Sequence, residues 1–474
     1  MIRKTACSAV ALLVLIGATP AFATNGMNLE GYGSKSLAMG GTGSAYDTGN
    51  SAAMNNPATL GFMKEGEAEI GFGIRALHPD VDMTFGGHKE DSVANAFYMP
   101  SISYMRRDGR ISWGAAMLAQ GGMGTDFGSS SMLFSGGHSW PGGSAVPMSE
   151  EDIRSEIGVG RLMFPVAYHL TNDTTIGASF DIVMASMDLQ MDMDGQHFAN
   201  MMAGNGGSVS GSMRTSLEGM MMPASGPMIT GINYARFDFS NNSPWIGQAV
   251  GFGTGLKFGI TQKVSKNLTV GASYHSQTKL ADLETSKATL SFDGTGPAFG
   301  AGAVSVTGKI KVRNFEWPAA IATGFAFTPS DKLMIAGDVK FIDWSSVMNK
   351  FEMTFIADAS NPGFGGQNLD VTMKQNWKDQ TVFSVGVQYM ATKKLALRAG
   401  ANFSTNPIPD QYLNPLFPAI TKDHYTCGFG YRLSDKSSVA AALSLVPKVT
   451  ATNGDGVENA HSQVSWSMNY THSL

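Results

Sequence analysis

Two kinds of side chain in this chain could do chemistry, and neither forms a catalytic set. Eleven methionines, Met184, Met187, Met191, Met193, Met201, Met202, Met213, Met220, Met221, Met222 and Met228, fall within 45 residues. Thioether side chains are flexible and polarizable, so such a cluster suits a promiscuous apolar surface. It could equally be methionines packing on one another, or soft-metal capture by sulfur. Metal capture would call for cysteine or clustered histidine beside them, and only His197 is there. The second kind is basic: Arg161, Lys257, Lys311, Arg313, Lys340, Arg398 and Arg432 stand opposite apolar residues in alternating segments. Arg161, for example, opposes Leu162, Phe164, Val166 and Tyr168. An inward arginine in a dry interior can hold a carboxylate bidentately, or simply pair with an acid such as Asp181 or Asp338. The substrate-binding candidates are Arg161, Lys311, Arg313, Met187, Met191, Met201, Met202, Met220, Met221 and Met222. The chain has no H-E-x-x-H, no phosphate loop in a strand–helix setting and no G-x-S-x-G elbow, so no enzyme activity, metal or cofactor is expected.

The elements that would position these residues are strands. Fourteen segments alternate with period two, near 66–83, 93–107, 110–120, 157–170, 173–190, 245–262, 267–284, 306–328, 332–347, 376–391, 394–406, 422–433, 437–449 and 460–474. In the last, Val464, Trp466, Met468, Tyr470, His472 and Leu474 alternate with Ser465, Ser467, Asn469, Thr471 and Ser473. Short turns such as Arg107-Asp108-Gly109 and Ser434-Asp435-Lys436 take turns with long connections, the longest near 121–156, 191–244, 285–305 and 348–375. An even-stranded membrane barrel, with short turns on one side and long loops on the other, has this rhythm. Charges opposite the apolar faces then belong in the lumen, since a lipid-facing charge costs ~2–4 kcal/mol at mid-depth. Tyr104, Trp113, Trp245, Trp344 and Tyr431 suit interfacial girdles.

Composition agrees. Charged residues are only 15% and glycines number 57, against an average near ~7%. No run of ~18 apolar residues predicts a transmembrane helix. The net charge of −5 argues against nucleic acid. Residues 1–23 read as a signal peptide: Arg3 and Lys4, an apolar run, then Ala21-Phe22-Ala23. Removing Cys7 with it leaves Cys427 and no intramolecular disulfide. Residues 24–65 do not alternate. Glycines and Asn55-Asn56-Pro57 dominate there, as in a linker, a small domain or a plug.

The run Gly31-Tyr32-Gly33-Ser34-Lys35-Ser36-Leu37-Ala38-Met39-Gly40-Gly41-Thr42-Gly43, then Asn55-Asn56-Pro57-Ala58, resembles the N-terminus of the FadL/TodX outer-membrane transporters. Asn376-Trp377-Lys378-Asp379, Leu397-Arg398-Ala399-Gly400, Pro407-Ile408-Pro409-Asp410 and Gly428-Phe429-Gly430-Tyr431-Arg432 extend the resemblance. It implies an all-β, fourteen-stranded transmembrane barrel over 66–474. An N-terminal hatch over 24–65 would carry the motif Asn56, Pro57 and Ala58. It further implies passive uptake of long-chain fatty acids or hydrocarbons across the outer membrane. The ligand would pass from an outer groove to a lumenal site and then sideways through the wall at a kinked third strand. The implied partners are that ligand, outer-membrane lipid and the barrel assembly machinery, for a monomer. One departure stands out. Where the fatty-acid branch would place a basic residue late in the fifth strand, this chain has Ser186 and Met191, which leaves a neutral substrate equally open. An adhesin or structural barrel and a general porin remain the rival readings.

Overall fold

The computed structural model describes residues 25–129, 149–222, 226–243, 246–300 and 302–474. The expected signal peptide, part of the 121–156 loop and Trp245 lie outside the described residues. Among those described, no helix is long and apolar enough to cross a membrane. The chain crosses with strands.

Following the antiparallel pairings from neighbour to neighbour traces a closed ring. Its members are β1 (Ala68–Phe85), β2 (Phe97–Asp108), β3 (Ile111–Gly128), β4 (Ile153–His169) and β5 (Thr174–Asp194). They continue with β6 (Ala249–Ser265), β7 (Leu268–His275), β8 (Ala320–Ser330), β9 (Leu333–Ile342) and β10 (Gln380–Met390). The last are β11 (Leu395–Ser404), β12 (His424–Arg432), β13 (Ser437–Thr452) and β14 (Glu458–Ser473). Each pairs with the next. β14 returns to β1 in continuous register from Ser473 opposite Glu69 to Glu458 opposite Thr84. Closure pairs the first strand with the last, so neither end of the sheet is left as a free edge, as a sheet in hydrocarbon requires.

The alternation sets the two surfaces. On β5, Ile176, Phe180 and Ile182 are exposed on the outside, while Ser179, Asp181 and Val183 are buried inside. On β14, Val464, Met468 and Tyr470 face out and Ser465 and Ser467 face in. This is the pattern of a barrel wetted by lipid outside and filled inside.

Among the described residues the sheet holds more segments than the fourteen expected: twenty-three. The remainder are short and most lie at the long-loop end, beyond the ring. The end of β5 passes its hydrogen bonds to Gly231–Phe239. That segment is followed in turn by Ala288–Thr295, Val304–Arg313, Lys350–Ala357, Asn368–Lys374 and Gly207–Ser210. This cap sheet breaks two expected spans. The segment expected over 306–328 is two strands, divided where Asn314 takes a left-handed φ of 55° shortly before Pro318. The segment expected over 267–284 stops at His275 and resumes as two-residue strands, Lys279–Leu280 and Leu283–Glu284. Trp344, expected at an interface, is fully buried in the core, while Trp113 and Tyr431 are exposed on the outside.

Candidate functional site

Residues 25–62 fill the lumen at the short-turn half, as short turns of helix: Gly33–Ala38, Gly49–Ser51, Ala52–Asn55 and Pro57–Phe62. The wall holds this hatch from all sides with polar side chains. On β9, Asp338 Oδ2 accepts from Gly43 N at 2.8 Å, Ser44 N at 3.0 Å and Ser44 Oγ at 2.8 Å. On β14, Asn469 Oδ1 accepts from Ser34 N at 2.7 Å and Ser34 Oγ at 2.6 Å. On β12, Thr426 Oγ1 accepts from Gly40 N at 3.0 Å. Backbone donors inside a closed lumen must find such partners or stand unpaired at a cost of ~1–3 kcal/mol.

The Asn56-Pro57-Ala58 motif has a concrete role here. Asn56 Oδ1 accepts from Ala58 N at 3.0 Å, and Pro57 occupies the first position of the following helical turn, where no N–H is needed. The Asn56 amide donates to Ser44 O at 2.7 Å and to Ile260 O of β6 at 3.3 Å. Two glycines, Gly177 and Gly259, stand opposite each other on β5 and β6 beneath the motif. A Cβ on Gly177 would meet Ala58 N at 2.4 Å, and one on Gly259 would meet Asn56 Oδ1 at 1.9 Å. A second facing pair, Gly386 and Gly400 on β10 and β11, seats Met39 and Gly40 in the same way. The wall is thus cut to the shape of the hatch backbone.

Glu30 is buried and accepts from Arg75 Nη2 of β1 at 2.7 Å, with His424 Nε2 of β12 at 3.8 Å. Burial alone would raise its carboxyl; Arg75 and His424 outweigh that and hold it down at about 2.

The first residues of the hatch, Asn25–Leu29, form an arm that leaves this polar frame. Leu29 N donates to Gln120 O at 3.3 Å, and Gly122 N of β3 donates to Met27 O at 3.1 Å. Trp317 Nε1 donates to Asn28 Oδ1 at 2.7 Å. The arm lies where the wall is incomplete. β2 and β3 pair only from Asp108 opposite Ile111 to Ile102 opposite Met117. Beyond that, Phe97–Ser101 pairs with β1 alone. The sheet meets again where Val93 N donates to Asp126 O at 2.7 Å. β3 carries two register irregularities along this stretch, at Ala119/Gly121 and Asp126/Gly128. The result is a window in the hydrogen-bonded wall at the third strand, with the arm behind it.

Above the arm the lumen is apolar. One continuous cluster joins Met27 of the arm to Val81 and Met83 of β1, Ile157 and Val159 of β4, Val183 and Met187 of β5, and the cap. Three tryptophans line its side, Trp317, Trp344 and Trp377, edge to face at centroid distances of 5.7 and 5.1 Å.

The structure separates the expected site residues. Met187, Met191 and Met201 are buried in this cluster rather than displayed on an outer groove. Even and odd positions of a strand face opposite ways, and Met187 and Met191 fall on the lumen side. Met202, Met220 and Met221 pack partly buried against the cluster; Met222 is exposed. Arg161 points inward as expected, but its charge is used. Its guanidinium donates to Asp181 Oδ2 at 2.9 Å, to Gln120 and to Thr278. Lys257 pairs with the same carboxylate. Lys311 and Arg313 do not face the lumen. They lie on the outer face of the cap, paired with Glu284 and, at 3.6 Å, with Asp370. Their strand belongs to the cap sheet and not to the ring, so alternation alone misplaced them. The window, the arm and the glycine seats had no separate mark in the sequence. The fall in alternation before residue 66 hinted at the arm, and an opening at the third strand was implied only by the family resemblance.

A family model described as outer membrane protein transport protein (OMPP1/FadL/TodX) matches residues 11–473. The toluene transporter TodX of Pseudomonas putida superposes with a TM-score of 0.78 at 29% identity, covering 94% of this chain and 99% of that one. The toluene transporter TbuX of Ralstonia pickettii gives 0.75 at 30% identity, with 94% and 99% covered. A FadL homologue of Pseudomonas aeruginosa shares the fold, with a TM-score of 0.65 at 15% identity over 94% of this chain and 99% of that one. An uncharacterized protein of Chlorobium limicola is 70% identical over 122 residues, 26% of this chain. That match spans 59% of the relative's own length.

Proposed function

The chain belongs to the outer membrane protein transport family (OMPP1/FadL/TodX), Gram-negative outer-membrane barrels that move hydrophobic compounds. On that premise we propose that this barrel takes up a neutral hydrophobic molecule, of the size of a monoaromatic hydrocarbon, by passive diffusion. The observation that carries the reading is the apolar cluster running from the cap to Met27, immediately behind the window between β2 and β3. A ligand enters among the methionines of the cap, whose flexible side chains open a path without fixed shape. It gains free energy by burial, at roughly 25 cal/mol per Å² of apolar surface. At the foot of the column it competes with the arm for the apolar surroundings of Met27. Displacing the arm frees the β3 edge and lets the ligand leave sideways into the membrane. The ligand supplies only differential affinity for the displaced state, so no energy source is required. The barrel works as a monomer, inserted by the assembly machinery.

The charges support a neutral substrate. Arg161 and Lys257, two cations of the lumen, share the carboxylate of Asp181 and are both engaged. The two proteins described as toluene transporters are 29% and 30% identical to this chain, against 15% for the FadL homologue. The test is toluene efflux from proteoliposomes and uptake by cells lacking the gene. Faster flux through the protein and slower growth without it are expected. Unchanged handling of both aromatic hydrocarbons and long-chain fatty acids would sink the proposal, and large ion conductance in planar bilayers would favour a general porin.

A further inference from the structure

A second cavity lies on the far side of the hatch, toward the short turns, with a volume near 690 Å³. Its walls are of two kinds. Leu29, Leu60, Met63, Met99 and Leu118 form one contiguous apolar side, at the lower border of the window. Across β1, β14 and β13, the opposite side carries Lys35, Lys394, Arg398 and Arg432. Apart from Arg75, which Glu30 holds, seven basic and four acidic side chains line the cavity.

This excess is not consumed internally. Lys35 reaches Asp47 at 3.4 Å, a loose pair. Lys394 and Arg432 have no ionic partner among the described residues. Arg398 is the most telling. Its Nε donates to Gln388 Oε1 at 2.8 Å, while its Nη1 is buried with no hydrogen-bond partner among the described residues. The guanidinium lies over Gly430, where a Cβ would come within 2.8 Å of Nη1. A buried guanidinium N–H without an acceptor costs more than a neutral one, and an anion offered to it forms a charge-assisted hydrogen bond.

We propose that this cavity is a binding site for an amphiphilic anion, with a carboxylate or phosphate head at Arg398 and Lys35 and an apolar body along Met99 and Leu118. The site lies on the far side of the hatch from the neutral route and shares with it only the border of the window, at Leu29 and Met99. Two sources share this chemistry: a free amphiphile in the periplasm, and an anionic phospholipid of the inner leaflet.

The test uses the full-length protein in nonionic detergent, with dodecanoate, dodecanol and a diazirine-tagged dodecanoate mapped by mass spectrometry. Crosslinks at Met99, Leu118 or the Lys393–Lys394 turn are expected. Arg398→Gln should weaken dodecanoate about tenfold, the worth of one charge-assisted bond, and leave dodecanol unchanged. Arg398→Lys should restore part of the loss, and correct folding of each variant is checked by its heat-modified gel mobility. Crosslinks confined to the cap, or equal weakening of dodecanol, would overturn the site. Phosphatidylglycerol that displaces dodecanoate identifies a lipid source, and failure to displace it identifies a soluble one. Toluene flux through wild-type protein is measured alongside. Flux without dodecanoate binding sinks this site alone, and binding without flux sinks the transport reading alone.

Discussion

The hatch and the cap fill the two ends of one barrel by opposite means. The hatch buries most of its apolar side chains in small separate clusters, and directed bonds from Asp338, Asn469 and Thr426 fix it over glycines cut to its backbone. The cap has few such bonds at its centre and is filled with Met, Phe and Trp side chains. Directed bonds allow one position and penalise any other by leaving donors unpaired. Apolar packing tolerates exchange so long as volume is kept. A barrel that moves hydrophobic compounds thus has exchangeable packing at one end and a fixed insert at the other.

The largest break in this contrast should come from Glu30→Gln. It leaves Arg75 buried without its counter-charge, which typically costs ~3–5 kcal/mol. The hatch should become cleavable by protease at neutral pH, and bilayer conductance should rise, while the barrel still resists denaturation by detergent. The same loosening should appear in the wild type under acid. The folded-state value of Glu30 lies below its ordinary one, so its contribution is complete above about 4.5 and is lost as pH falls toward about 2. A Glu30→Gln hatch should show no such acid step.

Next in size are the seats. Gly271→Ala would place a Cβ 1.9 Å from Ser44 O, a backbone atom that cannot swing aside. Overpacking of this kind costs ~1–3 kcal/mol. Hydrogen exchange should quicken across Gly40–Asn56 with the strands unaffected. Protection equal to wild type would show that the hatch is not seated on the wall.

Smaller still is the cap. Met187→Leu keeps volume and should cost under ~1.5 kcal/mol, despite complete burial. A loss as large as that of Glu30→Gln, read from urea unfolding in lipid, would show the two ends to be equally exacting.

The smallest effect concerns His197 in the helix Gly195–Met202. Asp194 caps that helix, accepting from the backbone of Gln196 and His197, and its other oxygen lies 2.9 Å from His197 Nδ1. The bond to Asp194 raises the imidazole against the pull of burial, with Asp455 assisting. A raised value means the contribution is whole at low pH and disappears as pH rises through the histidine range. Exchange over residues 195–202 should quicken on that rise, and His197→Gln should remove the dependence.

Much of the ring was legible because a strand between lipid and lumen must alternate. β5 does so from Thr175 to Val183, and β14 does so from Gln463 to Met468. The same rule failed for Val304–Arg313, since a cap strand between water and an apolar core alternates just as well. Lys311 and Arg313 therefore looked inward when they face outward. Arg161 was rightly aimed, but its fate depended on Asp181, twenty residues on, and a pairing is not a period. The glycines of the seats were visible only as an excess. What each one clears belongs to a partner distant in the chain, and no local pattern encodes it.

The cap sheet carries one more consequence. Its neighbours come from different connections: Gly207–Ser210 and Gly231–Phe239 from one, Ala288–Thr295 and Val304–Arg313 from the next, Lys350–Ala357 and Asn368–Lys374 from a third. Gly207–Ser210 bonds not to its own connection but to the third. These loops are woven and not merely adjacent. None can be transplanted or deleted as a unit without unravelling its neighbours. Variation in what the barrel admits must therefore come by side-chain exchange within a shared weave, not by trading whole loops.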